Sequence, residues 1–306
     1  MKYHEPVLLN EALDFLVTKE DGIYFDATIG FGGHTESLLK RLNRKGIVIG
    51  SDKDSEAFNY SKKKFNGEER VKLYNASFTD IKSIAKIEFI DKFDGILADL
   101  GVSSYQLDNP ESGFTFRKDV PLDLRMDKSA SKTASDLVNT LEENELIKIF
   151  REFGEEKAAK KIASKIIERR STKRIETTFQ LKEIVASIIP PNYLNKSLSR
   201  VFQSLRIAVN NELEELKKFI PLAVDLLRKR GRIVVISYHS LEDRIVKESF
   251  KYETLQCVCP KDYPVCICNK EVRLKLISRK PIKPSAEEIK KNRRARSAKM
   301  RVAERV

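Results

Sequence analysis

The 306-residue chain contains no apolar run approaching the length that spans a bilayer, and its opening stretch, Met1-Lys2-Tyr3-His4-Glu5-Pro6, lacks the apolar core of a signal peptide. Membrane insertion and secretion are therefore not expected; a cytoplasmic protein is. Cysteine is scarce: Cys257, Cys259, Cys266 and Cys268 are the only four, confined to twelve positions. No thiol lies near the glycine-rich segment described below, so cysteine-based nucleophilic catalysis has no candidate there. In a cytosolic chain such a cluster reads as metal ligands before disulfides. Two C-x-C pairs are less usual for zinc than two C-x-x-C pairs, however, and Pro260 and Pro264 also fit a plain turn, so a structural zinc site and a metal-free turn both stay open, and no catalytic role is assigned here. Internal repeats are absent, as are low-complexity tracts apart from a basic tail.

Length allows a sizeable core and two domains. The net charge of +13 is regional. Between Glu155 and Arg206 there are twelve Lys or Arg against five acids, and between Ser278 and Val306 eleven against three, which leaves the remainder slightly acidic. Two basic segments in one chain point to a polyanionic partner, most simply nucleic acid, although either alone also fits a solvated helix face.

Tyr24-Phe25-Asp26-Ala27-Thr28-Ile29-Gly30-Phe31-Gly32-Gly33-His34 carries the most information. A short apolar strand enters a three-glycine turn and a helical pattern follows at once, an arrangement that lets backbone approach a ligand where a Cβ would collide. A second apolar run ends in Asp52, where nucleotide-binding α/β folds place an acid on ribose hydroxyls. The glycine order departs from G-x-G-x-x-G, and Asp26 stands four residues ahead of Gly30. An upstream acid is unhelpful to a pyrophosphate but suits a cation, which favours S-adenosylmethionine over NAD.

Strands are expected over Ile23–Ala27, Ile47–Ser51, Val71–Ala76, Phe93–Ala98 and Ile233–Ile236. Helices are expected over Glu5–Val17, Thr35–Leu42, Ser55–Phe65, Thr79–Lys86 and, as one long element, about Leu198–Phe219. This alternation predicts a parallel sheet with right-handed crossovers, the carboxyl ends of its strands facing one crevice. Asp26, Asp52 and Asp99 all fall at such ends. Between Leu107 and Ser199 only turns and helical patterns are found (Glu142–Phe153, Glu156–Arg170, Thr178–Ile189). The expected fold is thus an α/β Rossmann-like sheet, residues 1–106 and 200–306, interrupted by an all-helical domain over 107–199 that grips substrate.

Asp99, in Asp99-Leu100-Gly101-Val102-Ser103-Ser104, is the catalytic candidate. An exocyclic amine conjugated to a pyrimidine is a poor nucleophile; an acceptor that hydrogen-bonds it draws it toward tetrahedral geometry and takes up charge as nitrogen attacks a sulfonium methyl. His239 follows another strand end, with Ser240 and Asp243 spaced as a capping box. It could touch substrate or be structural.

Taken together, the motifs resemble those of the bacterial RsmH (MraW) family. They run nearly end to end: His4-x-Pro6-Val7-Leu8-Leu9, the Asp26 to His34 segment, Asp99 to Leu107, Gly113-Phe114-x-Phe116, Pro121-Leu122-Asp123-x-Arg125-Met126, Gly154-Glu155-Glu156, Phe202 to Leu213, His239-Ser240-Leu241-Glu242-Asp243-Arg244 and Arg294-Ala295-Arg296-Ser297. The resemblance implies a Rossmann-like methyltransferase that uses S-adenosylmethionine to methylate N4 of a cytidine in 16S ribosomal RNA of the small subunit, with no membrane or DNA partner. It places cofactor contacts on Gly32, Gly33, His34, Asp52, Phe78, Asp99 and Gln106, with Phe78 against the adenine. Two departures are Tyr238, where Phe is commoner, and Ser112, where Arg often precedes Gly-Phe. A non-catalytic, cofactor-binding assembly factor and a nucleotide-dependent oxidoreductase are the alternatives.

Overall fold

Strands β1 (Ile23–Asp26), β2 (Ile47–Asp52) and β4 (Phe93–Asp99) are buried on both faces, as continuous apolar runs in a parallel sheet must be. A computed structural model describes residues 6–102, 113–260 and 265–306. With β3 (Val71–Asn75), β5 (Leu227–Ser237), β6 (Leu274–Leu276) and β7 (Lys299–Arg305) they form one seven-stranded sheet of order β3-β2-β1-β4-β5-β7-β6. β1 to β5 pair in parallel, while β7 runs antiparallel to both β5 and β6. Strand order reverses between β1 and β4, the position where such sheets open a crevice beyond their carboxyl ends.

The period of two divides the strand side chains between two cores. Phe25, Ile49, Ile96 and Val235 pack on one face with Ile81 and Ile84 of α4 (Ile81–Ile87), Phe219 and Ile220 of α10 (Glu212–Leu226), and Phe250 of α11 (Ser240–Glu253). Tyr24, Val48, Leu97 and Val234 pack on the other with Leu13 and Leu16 of α1 (Leu9–Leu16) and Leu38 of α2 (Gly33–Arg41). Helix α3 (Ser55–Lys64) is started by Asp54, whose carboxylate accepts from the Glu56 and Ala57 amides.

The chain divides into two compact units, Met1–Gly101 with Leu213–Val306, and Val102–Glu212. The second unit holds α5 (Ala134–Thr140), α6 (Glu143–Glu152), α7 (Ala159–Thr172), α8 (Thr178–Ala186) and α9 (Pro191–Asn210). Thr133 with Asp136, Glu142 with Glu145, and Thr177 with Gln180 form capping boxes at three of these helices. Leu146, Phe150, Ile162, Ile166, Leu181 and Phe202 fill its core. Asn210 ties in the entering loop: its amide donates to Leu124 O (2.7 Å) and its carbonyl accepts from Met126 N (2.7 Å). The only β pairing among the described residues of this unit is an isolated bridge between Pro121 and Thr177.

Several elements differ from the sequence reading. Helix α1 starts at Leu9, four residues later than Glu5, because Leu8 takes a left-handed conformation (φ 54°) and gives its amide to Glu288. The long helix over Leu198–Phe219 is two helices, broken at Asn211, which also sits at positive φ (52°). The basic tail supplies β7, an interior strand. Among the described residues, no helix is long and apolar enough to cross a membrane.

Candidate active site

Asp26, Asp52 and Asp99 are the last residues of β1, β2 and β4. Asp26 pairs in register with Gly50 and Leu97, so Asp52 and Asp99 each stand two residues beyond it on the flanking strands, at the same edge of the sheet. All three meet the loop between β1 and α2. Asp26 accepts from Thr28 N (3.3 Å) and Thr35 Oγ1 (2.7 Å), Asp52 accepts from Gly30 N (2.9 Å), and the Asp99 amide donates to Thr28 Oγ1 (2.7 Å). The loop is stitched further by Ile29 N to Ser51 O (3.0 Å) and by Ser61 Oγ to Gly30 O (2.7 Å).

Electrostatics sets these acids apart from the rest of the surface. Burial pushes Asp26 and Asp52 up to about 6 and Asp99 up to about 7; the charge of Asp26 adds to the rise of both neighbours. Among the described residues no Lys or Arg forms an ion pair with any of the three. Asp99 instead accepts from Tyr238 Oη at 2.8 Å, a bond that holds its pKa down against burial, while His34 Nδ1 stands 3.8 Å from its other oxygen. His34 Nε2 lies 3.3 Å from Val7 O. Three desolvated carboxylates with no Lys or Arg partner among the described residues suit a cationic ligand.

The turn glycines divide into two kinds. A Cβ on Gly32 (φ +71°) would come within 2.5 Å of the Phe65 ring, and one on Gly33 within 2.4 Å of Pro6. Packing of the protein against itself therefore keeps both positions free of a side chain. Gly30 (φ +51°) is different: among the described residues its Cβ would meet only Thr28 O, at 3.8 Å, so the space beside it is open.

Phe78 begins a short 3-10 turn after β3, started by Ser77, and its ring packs on Phe219 (centroids 4.9 Å apart). Gln106 lies outside the described residues. His239 is the N-cap of α11: its side chain accepts from Glu242 N, and Glu242 in turn accepts from the amides of Tyr238 (2.9 Å) and His239 (3.3 Å). The cap is thus one residue earlier than Ser240, and Asp243, expected to complete it, pairs with Lys299 and Arg301. Tyr238 is the site residue that sequence reasoning passed over; its departure from the commoner Phe was the available signal.

The basic segments are partly structural. Arg170 donates to the carbonyls of Val138 and Leu141, Arg206 pairs with Glu212, and Arg301 with Asp243. Lys157, Lys160, Lys161, Arg169, Lys173 and Lys196 are exposed on the helical unit, as are Arg293, Arg294 and Arg296 on the sheet unit. In that last turn, buried Ala295 anchors the backbone while the arginines face solvent.

A sheet of order β3-β2-β1-β4-β5-β7-β6 with β7 reversed, carrying acids on adjacent strand ends around a glycine turn, defines a Rossmann-like S-adenosylmethionine-dependent methyltransferase. Within that class the chain belongs to the MraW methylase family, whose family model matches residues 1–306. It is 50% identical over 307 residues to the ribosomal RNA small subunit methyltransferase H of Caldicellulosiruptor saccharolyticus, covering 100% of both chains. The protein of the same name from Halothermothrix orenii is 50% identical over 309 residues, covering 100% of this chain and 99% of its own. That of Clostridioides difficile is 46% identical over 308 residues, covering 99% of each.

Proposed function

We propose that this protein transfers a methyl group from S-adenosylmethionine to the exocyclic N4 amine of a cytidine in 16S ribosomal RNA of the small subunit. The observation that carries the reading is Asp99: a residue at the end of β4 whose amide is fixed by Thr28 and whose carboxylate is held by Tyr238 and raised to about 7 by burial.

Bound S-adenosylmethionine supplies a methyl made electrophilic by its sulfonium. The chain's part is to bind, orient and accept a proton. Asp52 would take the ribose hydroxyls on lone pairs left over from its bonds to Gly30 N and Asp54 N. Gly30 leaves room beside it, Gly32 and Gly33 set the turn, and Phe78 offers an aromatic surface for the adenine. His34 lies beside Asp99 at the start of α2, and the family resemblance makes Gln106 a further cofactor contact. Asp99 accepts a hydrogen bond from the amine, localises the nitrogen lone pair and receives the displaced proton; a carboxylate raised to about 7 is the stronger base for it. The Tyr238 hydroxyl fixes the rotamer of that carboxylate through Oδ1 and leaves Oδ2 for substrate. The helical unit, with its exposed lysines, is the RNA-gripping part.

The test is methyl transfer from labelled cofactor to small-subunit RNA or precursor particles. Asp99→Ala is expected to lower the rate by about 10²–10⁴ while RNA binding persists. Asp52→Ala should weaken S-adenosylhomocysteine binding and leave RNA affinity in place. A wild-type protein that binds cofactor and RNA but transfers no label would instead be an assembly factor.

A further inference from the structure

Between α11 and β6 the chain crosses from Thr254 to Arg273, tied at its end by Lys270 and Arg273 to Glu253. Val258, Val265 and Ile267 are 41%, 69% and 67% exposed, and none of the described residues of this connection is buried. Its four cysteines nevertheless converge. The Sγ atoms of Cys257, Cys259, Cys266 and Cys268 all lie within 4.8 Å of one another. Individual separations are 4.0 Å for Cys259–Cys266, 3.5 Å for Cys266–Cys268 and 3.8 Å for Cys257–Cys268. Four thiolates around one zinc at about 2.3 Å occupy a tetrahedron whose edge is about 3.8 Å. The observed spacings scatter about that value. Two disulfides would instead draw the sulfurs into bonded pairs.

We propose that these four cysteines form a structural zinc site that folds the α11–β6 connection. The C-x-C spacing serves this purpose in the observed geometry: the sulfurs of each pair turn inward together while the intervening Val258 and Ile267 point out. The two halves are joined reciprocally, since Val258 N donates to Cys268 Sγ and Ile267 N donates to Cys259 Sγ, both at 3.4 Å. Cys259 N also donates to Cys257 Sγ at 3.4 Å. Amide donors on the sulfurs are what a tetrathiolate zinc centre needs, because it carries a net double negative charge that its surroundings must solvate. All four positions are filled by protein, so no open position is left for a water or substrate, and the role is structural. Zinc, with no redox chemistry and no geometric preference beyond the tetrahedron, replaces the missing core.

The test uses the full chain purified under reducing conditions without added metal. Elemental analysis after gel filtration is expected to find about one zinc per chain. Displacing it with a mercurial reagent should release that zinc in proportion to thiols modified, and cobalt bound in place of zinc should give the absorption bands of a tetrahedral thiolate complex. Removal of the metal should make cleavage within residues 254–273 at least about tenfold faster, and S-adenosylhomocysteine affinity should stay within about twofold. Cys259→Ser and Cys268→Ser should each abolish stoichiometric zinc; should either fail to fold, the wild-type metal content and thiol titration still decide. Metal-free protein with four freely reactive thiols that takes up no zinc overturns the proposal. So does a protein lighter by the four hydrogens of two disulfides, or one holding iron in place of zinc.

Discussion

Tyr238 Oη donates to Asp99 Oδ1 across 2.8 Å, tying the residue that follows β5 to the last residue of β4. Strand pairing places them as neighbours, since Asp99 lies opposite Ile236. The phenol is itself pushed well above its ordinary pKa by burial and by the Asp99 charge, so it stays a donor throughout the working range.

Replacing Tyr238 by Phe removes the bond that lowers the Asp99 pKa. The carboxylate is the competent form, so activity rises as pH climbs through about 7, and the variant's rising limb should lie at higher pH than the wild type's. A hydrogen bond to a charged group is worth about 1.5–3 kcal/mol, so kcat at neutral pH should drop by about an order of magnitude and recover in alkali. A pH–rate profile of unchanged midpoint would show that the tyrosine leaves the acid untouched.

Asp26 offers a test of the buried charge. Its folded pKa of about 6 exceeds the unfolded value of 3.8, so its protonation stabilises the fold at low pH and that contribution is lost as pH rises through about 6. Asp26→Asn does not titrate. The stability of the variant relative to wild type should therefore climb by about 2 kcal/mol between about pH 4 and pH 7.5, read from urea midpoints. Parallel curves for the two proteins would contradict the assigned desolvation.

Gly32→Ala should destabilise the protein by about 2–4 kcal/mol, from a left-handed backbone and a clash with Phe65. The clash can be separated from the strain. In a double-mutant cycle with Phe65→Ala, the Gly32→Ala cost should shrink by at least about 1 kcal/mol. Additive costs would mean that Phe65 is not what excludes the methyl.

Arg293, Arg294 and Arg296 face solvent while Ala295 holds the turn. Changing the three to Glu should therefore spare the fold and S-adenosylhomocysteine affinity but weaken RNA binding. The slope of log Kobs against log salt should fall by about 2–3. Identical slopes would assign these arginines to solvent alone.

β1, β2 and β4 were legible because each is a short apolar run ending in an aspartate, and the common edge of their carboxyl ends follows from the crossover rule. Asp26, Asp52 and Asp99 group together on that basis from the sequence alone. β7 was hidden by its own charges: Met300 and Val302 face the core, whereas Lys299 and Arg301 reach Asp243, so half the strand counts as basic tail. The break at Asn211 has no Pro or Gly to announce it. His239 and Ser240 are both polar and adjacent, and only the bonds to Glu242 show which one caps α11. A glycine's sequence position says that a side chain is excluded, not whether a ligand or, as at Gly32, a neighbouring ring excludes it.

The placement of β7 between β5 and β6 has a consequence for biosynthesis. As the nascent chain leaves the ribosome, β5 has a ladder partner on one side only until more than sixty further residues have been made. Its other border, a row of amides and carbonyls seeking mates, is sealed last by a segment that arrives in reverse orientation. Chains stalled or clipped ahead of Lys299 would carry that bare border into the cell and be prone to self-association.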